Sequence, residues 1–133
     1  MKDEKHSKSG EENEHSNPKL LAKKQTVLEE LRSATDILKA LAEPVRQDIL
    51  MMFMLHKRLN VSQVVERSEL SRPAISHHLK VLKQAGIVTS RKEATEVYYS
   101  LAEQDSVVSK LRRLLAAVME LEQDPDKTHE PKA

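Results

Sequence analysis

A chain of 133 residues has room for one compact domain with terminal tails. It contains no cysteine, which excludes disulfides, thiolate metal ligands and cysteine nucleophiles. Its 22 basic and 21 acidic residues leave a formal net charge of +1, so the total charge does not indicate a partner. The N-terminus lacks an apolar signal segment and no apolar run is long enough to cross a bilayer, so we expect a soluble, cytoplasmic protein.

The charges are distributed unevenly along the sequence. Residues 1–17 hold three lysines against five acidic residues, and residues 120–133 hold two lysines against five. Between them, residues 61–92 carry six lysines and arginines against two glutamates. The basic charge therefore lies in the middle of the chain, where it favours a phosphate-facing surface.

The two ends of the sequence differ from its middle in apolar content. After Met1, residues 1–17 contain no apolar side chain, and residues 123–133 are polar with two prolines. Such segments bury too little surface to offset their ordering entropy, so we expect disordered tails there. Residues 18–122 are the expected folded domain.

The first part of this domain has helical periodicity. Leucines between Leu20 and Leu41 recur at helical spacing, which predicts either one long helix or two with a break near Ser33. Pro44 begins another helix, to about His56, because proline suits a first helical turn. This helix is apolar almost all round in its second half, which predicts that it is covered on several sides and forms the centre of the core. Its three methionines indicate core filling rather than a copper or oxidation sensor.

Two short helices with a tight connection follow. Residues 59–61 are predicted to be extended, and Ser62 is a candidate cap for a helix to about Ser68. Ser71 is a candidate cap for the next helix, which Gly86 ends. Two helices joined by residues 69–71 make a helix-turn-helix.

The second of these helices has two chemically distinct faces. Ile75, Leu79 and Leu82 share an apolar face, and the opposite face is polar and basic. Basic side chains suit phosphates or guanine edges, and serine and histidine suit base edges. A solvated surface helix is the alternative, which the helix-turn-helix context disfavours. His78 lies beside the apolar face, which favours a structural hydrogen bond over a base contact.

A change of periodicity after Gly86 predicts a β-hairpin. Residues 87–92 and 96–101 are the strands and residues 93–95 the tip. The hairpin is a candidate wing that carries basic residues to the neighbouring DNA backbone. Tyr98 and Tyr99 indicate packing rather than base stacking. The residues expected to contact DNA are Ser71, Arg72, Ser76, His77, Lys80, Lys83, Arg91 and Lys92.

The terminal helices predict a dimer. Asp105 to Glu122 is a helix with a broad apolar stripe, and one small domain cannot easily bury this stripe and that of the first helix alone. Pairing them across a two-fold axis would set two recognition helices about 34–36 Å apart. The residues expected at this interface are Leu21, Leu28, Leu31, Leu111, Leu114, Leu115, Val118 and Leu121.

The residues between Leu38 and Leu101 resemble the ArsR/SmtB family of bacterial winged-helix repressors. The resemblance is carried by LKALAEPVRQDIL, by VSQVVERSELSRPAISHHLKVLKQAGIV and by VYYSL. It implies a mainly α winged helix-turn-helix with a small β-hairpin wing, dimerised through its N- and C-terminal helices. It further implies a homodimer that binds a palindromic operator and represses a nearby promoter.

The sequence departs from the family at its metal sites. Metal-sensing members carry a cysteine motif in the helix before the recognition helix, and residues 61–65 contain no cysteine. Other members bind zinc through the C-terminal helix, and residues 105–122 contain no histidine. No histidine pair has preformed zinc spacing, so no metal or other cofactor is expected. The usual glycine at the wing tip is also replaced, by Glu93-Ala94-Thr95.

The leading interpretation is a DNA-binding repressor. The alternative is a winged-helix module for protein interactions without DNA binding. An enzyme is disfavoured, since no paired-carboxylate, Ser/His/Asp or phosphate-loop arrangement is present. The controlling signal stays open between a small molecule at the dimer interface, a sequestering partner protein, and an unusual metal site across the dimer.

Overall fold

A computed structural model of the chain describes residues 17–103 and 105–127, which form six helices and three strands. In chain order these are α1 (Pro18–Ser33), α2 (Thr35–Leu41), α3 (Pro44–Leu55), β1 (Leu59–Asn60), α4 (Val61–Glu66), α5 (Arg72–Gln84), β2 (Val88–Glu93), β3 (Glu96–Leu101) and α6 (Ser106–Glu122). This confirms the predicted fold class, mainly helical with a small hairpin wing. The break expected near Ser33 falls at Ala34.

The chain divides into two compact units. The winged-helix unit is Ala34–Ser109, and the terminal unit combines Met1–Ser33 with Lys110–Ala133. The predicted tails fall in the terminal unit, and residues 1–16 and 128–133 lie outside the described residues. Each unit is considered by itself below.

The winged-helix unit is built around one apolar core. Because leucine, isoleucine and valine at helical spacing line the inner faces of its helices, α3, α4 and α5 bury their apolar sides together with the first residues of the wing. The core residues are Ala40, Ile49, Leu50, Phe53, Leu59, Val64, Ile75, Leu79, Leu82, Ile87 and Val88.

Helix α3 contributes only one side to this core. Ile49 and Phe53 are almost fully buried, but Met51, Met54 and Leu55 are 54%, 65% and 73% exposed. The prediction that this helix is covered on several sides was therefore wrong, as was core filling for Met51 and Met54. An apolar composition all round a helix does not bring a neighbour to every face of it.

Helix α4 begins with a capping box. The Asn60 side chain accepts a hydrogen bond from the backbone N–H of Gln63 at 2.8 Å, and the Gln63 side chain accepts one from the backbone N–H of Asn60 at 2.9 Å. These bonds satisfy two backbone donors that the helix itself leaves free. Asn60 is thus the cap, and the expectation that Ser62 has this role was wrong because Ser62 is already inside the first turn.

The three strands form an antiparallel sheet in the order β1-β3-β2. In the hairpin, Val88 pairs with Leu101 and Glu93 pairs with Glu96. Glu93 therefore belongs to β2, and the tip is the two-residue segment Ala94-Thr95 instead of the three residues predicted. Ala94 adopts a φ of 56°, in the left-handed region that favours glycine.

The terminal unit brings α1 alongside the C-terminal part of α6. Lys23 forms an ion pair with Asp124 at 2.9 Å, and Arg113 forms one with Glu30 at 3.5 Å, so the two segments run antiparallel. Asn17 accepts a hydrogen bond from the backbone N–H of Leu20 at 3.1 Å. The sequence assigned residues 123–133 to a disordered tail. The structure describes residues 123–127 of this segment, and Asp124 among them is held by its ion pair with Lys23. Throughout the described residues, each helix falls short of the length and apolarity needed to span a bilayer.

Candidate nucleic-acid interface

Helix α5 has a well-defined start and end. The Ser71 hydroxyl accepts a hydrogen bond from the backbone N–H of Ala74 at 3.4 Å, and Pro73 lies in the first turn. Both features suit a helix N-terminus. The helix ends before Gly86, which has a φ of 79° and provides the left-handed residue that commonly follows a helix. The predicted cap and end of this helix are both confirmed.

The inner face of α5 holds the helix in place. Ile75, Leu79 and Leu82 are all 0% exposed, as the periodicity predicted. Burial of each such side chain contributes about 1.5–3 kcal/mol to stability. The helix is therefore anchored along its whole length, and its outer face is presented at a fixed angle.

The outer face of α5 is basic and open to solvent. Arg72, Ser76, Lys80 and Lys83 follow one another at intervals of four, four and three residues, which places them along one helical stripe. All four are exposed, and so is His77. A stripe of cations and short hydrogen-bonding side chains on a rigid helix has the chemistry that reads phosphates and base edges.

Helix α4 adds a contact to the site that sequence reasoning missed. The Arg72 guanidinium donates a hydrogen bond to the Ser62 hydroxyl at 2.9 Å, which ties the basic stripe to α4. Within the turn before α5, the Ser68 hydroxyl accepts from the backbone N–H of Leu70 at 3.0 Å. The sequence showed Ser62 only as a candidate cap, and no local signal pairs it with Arg72, ten residues away.

The wing presents its two predicted basic residues on opposite faces. Arg91 pairs with Tyr98 and Lys92 with Val97 across the hairpin, and successive strand residues point to opposite sides. Both side chains are exposed. A third cation lies beside Arg91, since the Arg58 guanidinium stacks 4.1 Å from the Tyr98 ring centre and pairs with Glu93. Tyr98 thus packs against Arg58, which precedes β1, and this agrees with the packing role expected for its ring.

The structure places the eight predicted contact residues on two elements. Five belong to α5 and Ser71 caps it, while Arg91 and Lys92 belong to β2, which packs against α5. All eight are exposed: Ser71, Arg72, Ser76, His77, Lys80, Lys83, Arg91 and Lys92. No geometry of the structure assigns DNA to them, so their role stays a prediction.

His78 lies on the other flank of α5 and has a protein partner. Its Nδ1 atom is 3.2 Å from the Arg46 guanidinium, which agrees with the structural hydrogen bond expected for it. Burial lowers the pKa of His78 below its ordinary value, and the charges of Arg46 and His77 lower this pKa further. The Glu43 carboxylate opposes these effects.

The residues predicted for dimerisation lie in the terminal unit, and none of them is buried. Leu28, Leu31, Leu115 and Val118 are 44%, 43%, 61% and 40% exposed. The other four, Leu21, Leu111, Leu114 and Leu121, are half-buried. Within residues 17–103 and 105–127, no group of three or more histidine and carboxylate side chains is arranged to hold a metal ion.

Comparison with known proteins identifies related chains. The model of the bacterial regulatory proteins of the arsR family matches residues 43–90. An uncharacterised HTH-type transcriptional regulator of Methanocaldococcus jannaschii is 36% identical over 76 residues, which cover 57% of this chain and 85% of that protein. The family model thus includes the helix-turn-helix, and the relative is matched over most of its own length.

Two further relatives have more specific names. The HTH-type transcriptional repressor SmtB of Mycobacterium tuberculosis is 40% identical over 73 residues. The match covers 55% of this chain and about half (53%) of that repressor. The transcriptional activator HlyU of Vibrio cholerae is 41% identical over 61% of this chain and 76% of the activator. The solved structure of reduced HlyU matches with a TM-score of 0.56 and 34% identity, covering 66% of this chain and 92% of that one.

Proposed function

The chain belongs to the arsR family of bacterial regulatory proteins, and on that premise we propose that it regulates transcription as a homodimer that binds duplex DNA through α5 and the wing. The single observation that carries the DNA-binding surface is the exposed basic stripe of α5 over a fully buried apolar face. The relatives are named as transcriptional regulators, and we assign no enzymatic activity to the chain.

The proposed contacts divide by chemistry. Arg72, Lys80 and Lys83 neutralise phosphates or reach guanine edges, and Ser76 and His77 face base edges. Arg91 and Lys92 contact the flanking backbone from the two faces of the wing. Such a surface binds DNA with a steep dependence on salt, because each neutralised phosphate releases condensed counterions.

The exposed leucines and valine of the terminal unit support the homodimer. A contiguous apolar surface on a small protein is typical of an interface, and a second copy of the chain has the complementary surface by symmetry. A two-fold dimer presents two α5 helices to half-sites one helical turn apart, so we propose an inverted repeat as the operator. Repression is proposed because SmtB is named a repressor. HlyU is named an activator, so a promoter assay decides the sign.

The first experiment selects bound sites from a random duplex library and measures the affinity of the enriched site at two salt concentrations. We expect an inverted repeat with strongly salt-dependent binding. A folded dimer that enriches no sequence would instead favour a protein-interaction module.

The double variant Arg72→Ala, Lys80→Ala tests the contact surface. Both side chains are exposed, so the fold is kept although the hydrogen bond from Arg72 to Ser62 is lost, and we expect the affinity for the selected duplex to fall about 10- to 100-fold. The slope of log affinity against log salt should decrease by about 2. The matched control, Lys19→Ala with Lys39→Ala, removes two exposed charges outside α5 and the wing and should change the affinity less than about 2-fold. Equal effects in the two double variants would refute the assignment of DNA to α5.

A further inference from the structure

Arg46 lies on α3, but its guanidinium group contacts two other helices. The Nε atom donates to the carbonyl oxygen of Ala40 at 2.8 Å, and Nη2 donates to that of Lys39 at 3.2 Å. Both carbonyls lie at the C-terminal end of α2, where helix carbonyls carry partial negative charge, and that of Lys39 also accepts from the backbone N–H of Ala42 at 3.3 Å. Nη1 lies 3.2 Å from Nδ1 of His78, on α5. One side chain therefore joins α2, α3 and α5.

The contact with His78 requires one protonation state of its imidazole. A guanidinium has only donors, so Nδ1 of His78 has to accept, and the proton of the neutral ring is on Nε2. A second proton would place an N–H and a positive charge directly against Arg46. The hydrogen bond therefore exists only while His78 is neutral.

His78 is also well placed to affect the DNA-contacting face. It is half-buried and directly precedes Leu79, whose side chain is 0% exposed, and follows His77, which is exposed with the basic stripe. The rings of His77 and His78 lie 5.6 Å apart between centres. Movement of the His78 side chain therefore changes the position of α5 relative to α2 and α3.

We propose that Arg46 is a positioning residue for α5, and that its hydrogen bond to neutral His78 makes DNA binding weaken as the pH falls. The proposal rests on the proposed function, since the readout is DNA affinity. Arg46 itself is half-buried and has no assigned contact with DNA.

The charges around His78 determine the sign of this effect. Burial lowers the pKa of His78 below 6.5, Arg46 of α3 and His77 of α5 lower it further, and Glu43, the cap of α3, opposes them. From α2, Lys39 contributes the carbonyl that Arg46 holds. The unfolded chain therefore takes up this proton at a higher pH than the folded chain. The stabilisation by the contact is complete above the ordinary pKa of about 6.5 and is lost as the pH falls through the lowered pKa of His78 in the folded chain.

The direction in which the DNA affinity changes with pH separates this positioning role from simple charge attraction. A histidine that gains a proton on a DNA-facing surface adds a positive charge and tightens binding to phosphates. Loss of the Arg46–His78 hydrogen bond has the opposite effect, because α5 keeps its buried face packed but loses one of the contacts that fix its position. Weaker binding in acid is thus the signature of the positioning role.

The test measures the affinity of the full chain for the selected duplex at pH 7.5 and at an acidic pH at which NMR shows the His78 imidazole to be protonated, at constant ionic strength. The wild type should lose about 3- to 10-fold on acidification, the range expected for one hydrogen bond. In His78→Asn, the amide oxygen replaces Nδ1 as a neutral acceptor, so the affinity at pH 7.5 should be kept and the loss in acid should disappear. In Arg46→Lys, the ammonium group cannot reach all three acceptors at once, so this variant should bind the duplex weakly at both pH values.

His56→Asn is the matched control, because it removes an exposed histidine that lies outside α5 and the wing. The acid-induced loss should persist in this variant. A loss of equal size in His78→Asn, or tighter binding in acid by a His77→Asn variant, which lacks the histidine of the DNA-contacting face, would overturn the proposal.

A measurement without DNA keeps the two proposals distinct. The ¹⁵N chemical shifts of the His78 imidazole at pH 7.5 should show a protonated Nε2 and an unprotonated Nδ1. A proton on Nδ1 refutes the contact with Arg46 whatever the DNA result. A chain with the expected imidazole shifts that binds no duplex refutes the proposed function and, with it, the role of Arg46 in DNA binding.

Discussion

The two units of the molecule differ in how they use apolar residues. The winged-helix unit encloses eleven buried residues in one core, including Ile75, Leu79 and Leu82 at 0% exposure. In the described part of the terminal unit, Leu20 and Ala117 are the buried apolar residues, while Leu28, Leu31 and Leu115 are more than 40% exposed. The first unit therefore has an enclosed core, although Met51, Met54 and Leu55 of α3 stay exposed, whereas the described part of the second unit has no comparable core.

Leucines at the same helical spacing therefore have different structural roles in the two units. In the winged-helix unit a leucine holds α5 at the angle from which its basic stripe faces outward. In the terminal unit a leucine is exposed, and we propose that it packs against a second copy of the chain. An apolar stripe in the sequence is common to both, so periodicity alone does not separate a core from an interface.

The largest expected effect is in the enclosed core. Leu79→Ala removes a side chain that is 0% exposed, and we expect the free energy of unfolding to fall by about 2–5 kcal/mol, because a cavity remains behind α5. Chemical denaturation measures this value. The control Leu55→Ala changes a leucine that is 73% exposed and should cost less than about 0.5 kcal/mol. Similar costs at the two positions would remove the basis for calling the core enclosed.

The next effect concerns the open surface of the terminal unit. Leu115→Glu places a charge where we propose that two copies of the chain meet, and the dimer dissociation constant should rise about 10- to 100-fold, because a charge is costly to desolvate. Sedimentation equilibrium measures this constant. Leu55→Glu adds the same charge to an exposed leucine of α3 and should leave dimerisation unchanged. If Leu55→Glu dissociates the dimer and Leu115→Glu does not, the assignment of the interface to the terminal unit is refuted.

The sequence was sufficient where local chemistry decides the structure. Helix α5 begins after Ser71 and ends before Gly86, as predicted. Helix capping and the left-handed conformation each depend on the residue type at one position. The inner and outer faces of α5 followed from the helical period in the same way. Most of the candidate site could therefore be predicted without coordinates.

The sequence was insufficient where distant residues or competing local choices decide. The contact of Arg72 with Ser62 and that of Arg46 with His78 join different helices, and no periodic pattern records them. Asn60 and Ser62 are both good caps, and pairing with Gln63 favours Asn60. The exposure of Met51 and Met54 depends on which neighbours reach α3.

The smallest expected effect lies at the tip of the wing, where Ala94 has a φ of 56°. A residue with a Cβ atom is strained in this region and glycine is not. Ala94→Gly should therefore raise the free energy of unfolding, by about 0.5 kcal/mol, since relief of strain exceeds the extra entropy of the unfolded chain. Chemical denaturation of the two proteins measures the difference.

The same substitution in a helix supplies the control, because its sign should reverse. Ala74 lies in the first turn of α5, and Ala74→Gly should lower the free energy of unfolding by about 0.5–1 kcal/mol. A stabilising Ala94→Gly beside a destabilising Ala74→Gly would show that the tip carries real backbone strain. If both variants are destabilised alike, the wing tolerates alanine at its tip without cost, and the difference between wing and helix that the φ value implies does not exist.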